Sequence, residues 1–191
     1  MPRPKRKDLI LTAATVLFAE KGYEATSVRD VARRSGMLSG SLYAHFTAKE
    51  DLLFEILSQR MELVIGTLGP IVESDAPPRE KLRLAIGNHL RQAANDLSLA
   101  RIVDQWKSLS APRRMQIIAL RDRYGALWQR IIDEGIASGD FAPHDRKFAF
   151  LVVVSVANWS QWWFNPSGPL TPEETADMLT QVLMRGLDGA A

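Results

Sequence analysis

The sequence predicts an all-α protein of about nine helices, with a small basic head at residues 1–50 and a larger body at residues 51–191. Between the prolines, apolar residues recur at intervals of three and four, which is the spacing of one face of a helix. No segment alternates apolar and polar residues as a half-buried strand does. The chain is 46% hydrophobic, so it has enough apolar surface to bury a core.

The first two helices follow from apolar stripes and from the residues that end them. One stripe extends from Ile10 to Phe18, and Gly22 marks the end of that helix. Thr26 is the predicted N-cap of the second helix, which closes at Gly36.

The third and fourth helices complete the head and start the body. The third is a short segment at residues 39–46 that buries only Leu42 and Phe46. The fourth begins at a capping-box pattern in residues 47–50 and is expected to end at about Glu73.

The body is expected to contain five further helices, at residues 78–95, 97–108, 112–138, 144–164 and 172–187. We expect the last two to form a dimer interface, because the uncharged stretch 148–164 has to be shielded from water by another protein surface. The final helix offers a second apolar face, made of Met178, Leu179, Val182, Leu183 and Leu187.

Composition and motifs exclude several classes of protein. The chain has no cysteine and only three scattered histidines, so a disulfide framework, a metal site and a cysteine nucleophile are not expected. It has no phosphate-cradling, dinucleotide, HExxH or GxSxG motif, which predicts that it is not an enzyme and uses no cofactor. The absence of a signal sequence and of a membrane span predicts a cytoplasmic protein with no membrane partner.

The head carries the basic excess. Residues 1–50 hold nine Lys/Arg and five Asp/Glu, against fifteen and seventeen in the remainder, so the head is the candidate for contact with a polyanion. The second and third helices, joined by residues 35–38, predict a helix-turn-helix, whose second helix enters a DNA major groove. Tyr43 and His45 either donate to phosphates there or pack inside the head.

Residues 26–32 read TSVRDVA, Ser35-Gly36 follows, and residues 41–52 read SLYAHFTAKEDL. This pattern resembles the DNA-binding signature of TetR-type transcriptional regulators, and the match extends over residues 9–54. The resemblance implies a homodimeric regulator, usually a repressor, whose heads bind a palindromic operator and whose body binds an inducer. The positions expected at the DNA are Thr26, Ser27, Ser39, Gly40, Ser41, Tyr43, His45 and Lys49.

Among these positions the resemblance implies two roles. Ser39, Gly40 and Ser41 match base-reading positions, and Thr26, Tyr43, His45 and Lys49 match phosphate-contacting ones. The sequence departs from the family pattern at Leu38, where a polar cap is usual, and at Ser39, where a basic residue is common.

The aromatic residues of the body allow two interpretations. They either fill an ordinary core or line a mostly apolar ligand pocket between helices. The residues expected around a ligand are Trp106, Arg121, Tyr124, Trp128 and Trp159. The alternative function is therefore a DNA-binding protein with a filled aromatic core and no small-molecule inducer.

A second resemblance concerns the ligand. Residues 163–171 read WFNPSGPLT, which is similar to a subgroup of these regulators that responds to acyl-coenzyme A thioesters in fatty-acid or steroid breakdown. The resemblance implies a hydrophobic effector, with Arg121 near its anionic head group. A hydrophobic carboxylate or an uncharged aromatic compound is the alternative, because Val154 and Asn158 replace an arginine and a tryptophan of that subgroup.

Overall fold

The computed structural model describes residues 6–142 and 145–187, without the side chains of Ser39, Leu97, Ala100, Arg101, Gln161, Gly186 and Leu187. Within these ranges the chain forms nine α-helices and no strand, which confirms the predicted fold class. The helices are α1 (Arg6–Lys21), α2 (Val28–Arg34), α3 (Ser39–Tyr43), α4 (Lys49–Glu73), α5 (Pro78–Asn95), α6 (Leu97–Ile102), α7 (Ala111–Ser138), α8 (Arg146–Trp163) and α9 (Pro172–Leu187).

The helix boundaries lie close to the predicted ones, with two differences. The segment expected as a single helix at 97–108 is α6 followed by a 3-10 turn at Val103–Ser108. The third helix ends at Tyr43 instead of continuing to residue 46. Within the described ranges, no helix combines the length and the apolar character needed to cross a membrane.

The chain divides into two compact units, and the division falls inside α4 and α7. The first unit contains the described residues up to Met61 together with Asp96–Leu120. The second contains Glu62–Asn95 and the described residues from Arg121 onward. The unit that holds the helix-turn-helix therefore also includes a segment from the middle of the chain.

The first unit has its own apolar core. Phe18 of α1, Leu42 of α3 and Leu52 of α4 are fully or almost fully buried, together with Ile102 and Ile117 from the mid-chain segment. These side chains fix α2 and α3 on α1, because a helix as short as α3 has no stability of its own.

The N-cap of α2 is Ser27, so the prediction of Thr26 was wrong by one residue. The Ser27 hydroxyl accepts a hydrogen bond from the Asp30 N–H at 3.1 Å, and the Asp30 carboxylate accepts one from the Ser27 N–H at 3.0 Å. Thr26 is instead buried, and its hydroxyl donates to the Gly22 carbonyl oxygen at 2.8 Å. The cap forms at Ser27 and not at Thr26 because the acidic residue of the capping box, Asp30, lies three positions after Ser27.

The capping interaction at the start of α4 also differs from the predicted one. Asp51, not Glu50, reaches back: its carboxylate accepts hydrogen bonds from the Thr47 hydroxyl at 2.7 Å and from the Ala48 N–H at 2.8 Å. Glu50 is thereby available for the mid-chain segment, where it accepts a hydrogen bond from the Ser110 N–H at 2.6 Å.

The second unit packs around α5, α7, α8 and α9. Its fully buried side chains include Leu82, Ile86 and Trp128. Lys81 is buried at the start of α5, and its ammonium donates to both carboxylate oxygens of Glu134, at 2.8 and 2.9 Å. This ion pair satisfies a charge whose isolation in the core would be costly.

Candidate nucleic-acid interface and ligand site

The turn between α2 and α3 presents the short helix α3 to solvent. Gly36 takes a φ of 69°, which is the left-handed conformation that favours glycine. The Met37 N–H then donates to the Ala32 carbonyl oxygen at 2.9 Å, which completes the reversal. The buried side chain of Leu42 holds α3 on the core of the first unit.

Most of the predicted DNA-contacting residues are exposed. Gly40, Ser41, Tyr43 and His45 are exposed on or just after α3, and Ser27 is exposed at the start of α2. A Cβ atom added at Gly40 would meet nothing within 4 Å, so the surface there is open. These positions form a surface of small and hydrogen-bonding groups suited to a close approach.

One of the predicted residues, Thr26, is not exposed. Thr26 is only 2% exposed and serves the turn after α1. The side chain of Ser39 lies outside the described part of the chain.

Lys49, expected at a phosphate, also has partners inside the protein. Its ammonium donates to the carbonyl oxygens of Tyr23 at 2.7 Å and of Glu24 at 3.1 Å. It also lies 4.2 Å from the centroid of the Tyr23 ring. Of the three donors of this ammonium, two are used by the turn after α1, and a carboxylate oxygen of Glu24 also lies 3.8 Å from the nitrogen.

A polar cluster that sequence reasoning missed links α4 to the mid-chain segment. Arg113 in the first turn of α7 donates to the Asp51 carboxylate and lies 3.6 Å from a Glu50 oxygen. Its guanidinium also stacks over the Phe54 ring, 5.4 Å from the centroid. We call Glu50, Asp51, Ser110 and Arg113 the α4–α7 clamp. No sequence motif signals it, because its members are about sixty residues apart.

The clamp carboxylates are held in the ionised form. Burial opposes ionisation of Asp51, but hydrogen bonds from Thr47, Arg113 and the Ala48 N–H outweigh it and lower the pKa of Asp51 to about 2. The hydrogen bond from Ser110 lowers the pKa of Glu50 from its usual value. Both groups are therefore negatively charged at neutral pH.

In the second unit, two of the predicted ligand residues form an aromatic cluster with His89. The ring of Tyr124 lies 6.2 Å from that of Trp128 in an edge-to-face arrangement, and the His89 ring lies 6.5 and 6.4 Å from the two. The Tyr124 hydroxyl is 3.1 Å from His89 Nδ1. Trp128 is only 1% exposed. Apolar rings with a few polar atoms among them are typical of ligand sites.

The other predicted ligand residues lie elsewhere. Trp106 packs partly buried against the core of the first unit. Arg121 is exposed on α7, three residues before Tyr124, and so lies on the same side of that helix. Trp159 is 67% exposed, and its nearest aromatic partner is Trp162, with ring centroids 6.4 Å apart. The structure therefore groups Trp159 with the outer surface of α8, not with Trp128.

The outer surfaces of α8 and α9 carry a concentration of exposed apolar side chains. On α8 they recur at helical spacing, and on α9 they stand one turn apart; the members are Phe148, Leu151, Trp159, Trp162, Met178 and Val182. We call this set the α8–α9 face. Leu183, expected on it, is buried in the core of the second unit instead.

A cleft of about 350 Å³ whose lining includes several charged side chains lies between the start of α5 and α9. In its wall, the Arg83 guanidinium donates to the carboxylates of Glu80 at 2.6 Å and of Asp177 at 3.1 Å. Charged side chains in the wall do not suit a hydrophobic ligand. Among the described residues, no group of His, Asp and Glu is arranged to hold a metal ion.

Comparison with known proteins places both parts of the chain in one family. Residues 10–56 match the family described as bacterial regulatory proteins, tetR family, and residues 75–187 match the tetracyclin repressor-like C-terminal domain. The chain is 30% identical over 185 residues to the HTH-type transcriptional repressor KstR2 of Mycolicibacterium smegmatis, covering 95% of this chain and 90% of that one.

Two solved structures extend the likeness to the fold. The TetR family transcriptional regulator PfmR of Thermus thermophilus has a TM-score of 0.88 and 34% identity, covering 98% of this chain and all of that one. AibR, solved in complex with isovaleryl coenzyme A and operator DNA, has a TM-score of 0.84 and 27% identity, covering 94% and 98% of the two chains. These relatives are regulators of transcription, not enzymes.

Proposed function

The chain belongs to the TetR family of bacterial regulatory proteins, and from this premise we propose that it is a homodimeric repressor that a coenzyme A thioester releases from a palindromic operator. The observation that carries the proposal is the helix-turn-helix, whose α3 leaves Gly40, Ser41 and Tyr43 exposed. The likeness to a repressor and to a regulator solved with isovaleryl coenzyme A and operator DNA supports it.

The first unit binds the DNA. Helix α3 enters the major groove, where the absence of bulk at Gly40 and Ser41 permits a close approach to the base edges. Tyr43, His45 and Ser27 flank α3 and donate to phosphates, which fix the register without reading sequence. The Lys49 ammonium exchanges the Glu24 carboxylate, 3.8 Å away in the free protein, for a phosphate, while its other two donors keep their carbonyl partners.

The second unit forms the dimer through the α8–α9 face. Six exposed large apolar side chains lie on these two helices, both of which pack against α5, and a monomer rarely leaves so much apolar surface in water. Two copies of this face make a four-helix bundle with two-fold symmetry. That symmetry imposes two matched DNA half-sites, about 34 to 36 Å apart or a multiple of that distance.

The effector binds at the aromatic cluster of the second unit. Tyr124 and Trp128 supply an apolar surface, and the Tyr124 hydroxyl and His89 supply polar atoms that orient a ligand. Arg121 follows the same side of α7 one turn earlier and offers a cation for the phosphates of coenzyme A. Trp106 and Trp159 are not required for this site.

The α4–α7 clamp gives the effector a path to the DNA-binding helices. Helix α7 carries Tyr124 in the second unit, and its first turn in the first unit holds Arg113, which is bound to Asp51. A displacement of α7 by the ligand therefore acts on the start of α4, which carries Lys49. A difference of about 1 to 3 kcal/mol between the two states changes operator affinity about 5- to 150-fold.

The test begins with an operator selected from random duplex DNA, followed by fluorescence anisotropy of the complex. Medium-chain, long-chain and steroid-derived coenzyme A thioesters are titrated against it, with the matching free acids and coenzyme A alone as controls. We expect thioesters to release the DNA and the controls to leave it bound. If no thioester changes binding, the proposed thioester effector is wrong, and a filled aromatic core without an inducer becomes the favoured alternative.

A further inference from the structure

Leu38, between the two helices of the helix-turn-helix, projects into solvent. At 81% exposure it is the most exposed large apolar side chain in the described part of the chain. It occupies the N-cap position of α3, with φ −69° and ψ 140°, and no side chain caps that helix. The residues on either side of the turn, Met37 and Leu42, pack against the core of the first unit, whereas Leu38 does not.

The free protein gains nothing from a leucine at this position. An N-cap favours Ser, Thr, Asp or Asn, whose side chain bonds an unsatisfied N–H of the first turn, and leucine is among the poorest caps. Leucine also gains nothing from burial here, since most of its surface stays in water. We therefore expect the Leu38 side chain to gain apolar contacts only when the helix-turn-helix is bound to a partner.

The major groove offers one apolar group, the C5-methyl of thymine. The N-terminal end of the second helix of a helix-turn-helix is the part that meets base edges. Beside Leu38, the exposed positions Gly40 and Ser41 have little or no side chain, and Leu38 is more exposed than Tyr43, the other exposed large apolar side chain of this segment. Building on the function proposed above, we propose that Leu38 reads a thymine in each operator half-site through its methyl group.

A protein partner fits this leucine less well than DNA. Most of the exposed large apolar side chains of the second unit belong to the α8–α9 face, whereas Leu38 is followed in the chain by the small residues Ser39, Gly40 and Ser41. A single leucine contributes far less than the roughly 800 Å² per partner that a stable protein interface buries. The groove of a duplex requires only one methyl-sized contact per half-site.

The experiment replaces each thymine of the selected operator by deoxyuridine, which lacks only the methyl group. For the wild-type protein we expect one symmetry-related thymine pair whose replacement weakens binding about fourfold per half-site and about fifteenfold for both, the value of a buried methyl-sized group. In Leu38→Ala that sensitivity disappears, while other positions respond as in the wild type. The matched control is Leu63→Ala, which changes an exposed leucine of α4 outside the first unit. This variant should keep the sensitivity to thymine replacement.

A second variant separates base reading from damage to the fold. Leu38→Asn supplies the missing cap, so its thermal midpoint should rise while its thymine sensitivity is lost. Wild-type protein that binds its operator but is insensitive to every deoxyuridine, or Leu38→Ala that keeps the same sensitivity, overturns the inference and leaves the proposed function intact; a protein partner for Leu38 would then be sought. Failure of the wild type to select any DNA sequence overturns both.

Discussion

At the scale of single residues, Lys49 combines a structural and an interfacial role in one ammonium group. Two of its hydrogen bonds hold the turn after α1 through the carbonyls of Tyr23 and Glu24. A partly buried, charge-assisted hydrogen bond contributes more to stability than a neutral one. The residue that would contact a phosphate therefore also fixes the position of α1 relative to α4.

Lys49→Met should lower both stability and DNA affinity. Loss of the charged donor leaves two carbonyls without their partner, at a cost of about 1 to 3 kcal/mol in the free energy of unfolding. Urea denaturation and anisotropy measure the two effects, and Lys147→Met, which removes an exposed lysine of α8, is the control. Reduced DNA binding with unchanged stability would show that Lys49 acts on phosphate alone.

Gly40→Ala should move stability and DNA binding in opposite directions. A Cβ at Gly40 has open space in the free protein, and alanine in place of glycine in a helix adds about 0.5 to 1 kcal/mol to the free energy of unfolding. The same methyl group enlarges the surface that approaches the bases, so operator affinity should fall. Unchanged operator affinity in this variant would place Gly40 away from the DNA.

At the scale of helices and their ends, the sequence predicts where helices lie better than it predicts which polar groups join them. Apolar spacing and prolines suffice to locate the nine helices of the described ranges, because the longer helices, such as α1 and α5, bury an apolar stripe. The cap at Ser27 was missed by one residue, because Thr26 offers the same hydroxyl. The α4–α7 clamp could not be predicted, since its charges are ordinary surface charges until the fold brings them together.

Because of the α4–α7 clamp, the free energy of unfolding should fall as the pH is lowered into the acidic range. The folded pKa of Asp51, about 2, lies below the unfolded value of 3.8, so its contribution is complete above about pH 4 and is lost as pH falls toward 2. A shift of this size corresponds to about 1 to 2 kcal/mol after allowance for partial exposure. Denaturation at several pH values should show Asp51→Asn less stable than the wild type at pH 7 and equal to it near pH 2.

Asp122→Asn, at an exposed position of α7, is the matched control for that series. It should follow the wild-type curve throughout. A constant difference between the wild type and Asp51→Asn from pH 7 to pH 2 would contradict the role given to the ionised carboxylate.

A charged side chain introduced on the α8–α9 face should prevent dimer formation. Val182→Arg places a cation in the centre of the proposed interface, where an unpaired buried charge costs several kcal/mol, and light scattering at micromolar concentration should report a monomer. Met115→Arg changes an exposed apolar residue in the first unit and should leave the dimer intact. A wild-type protein that is itself monomeric would contradict the interface.

At the scale of the whole molecule, the sequence could assign the DNA-binding and ligand-binding roles to the two ends of the chain, but not the location of every ligand residue. The head was recognisable because its motif is continuous in sequence. Among the aromatic residues, composition could not separate Trp128, which is buried, from Trp159, which is exposed on α8. Trp128 lies on α7 and Trp159 on α8, and only the packing of these two helices in the folded chain distinguishes them.

In the proposed function, the coenzyme A thioester and the operator each weaken the binding of the other to the protein. Measurement of this mutual effect is the most direct test. Operator affinity is measured with and without a saturating coenzyme A thioester, and thioester affinity with and without saturating operator, in the same buffer. We predict that each weakens the other by the same factor, about 5- to 150-fold, because coupling free energy is reciprocal. Tight binding of both with no mutual effect would contradict the proposed function.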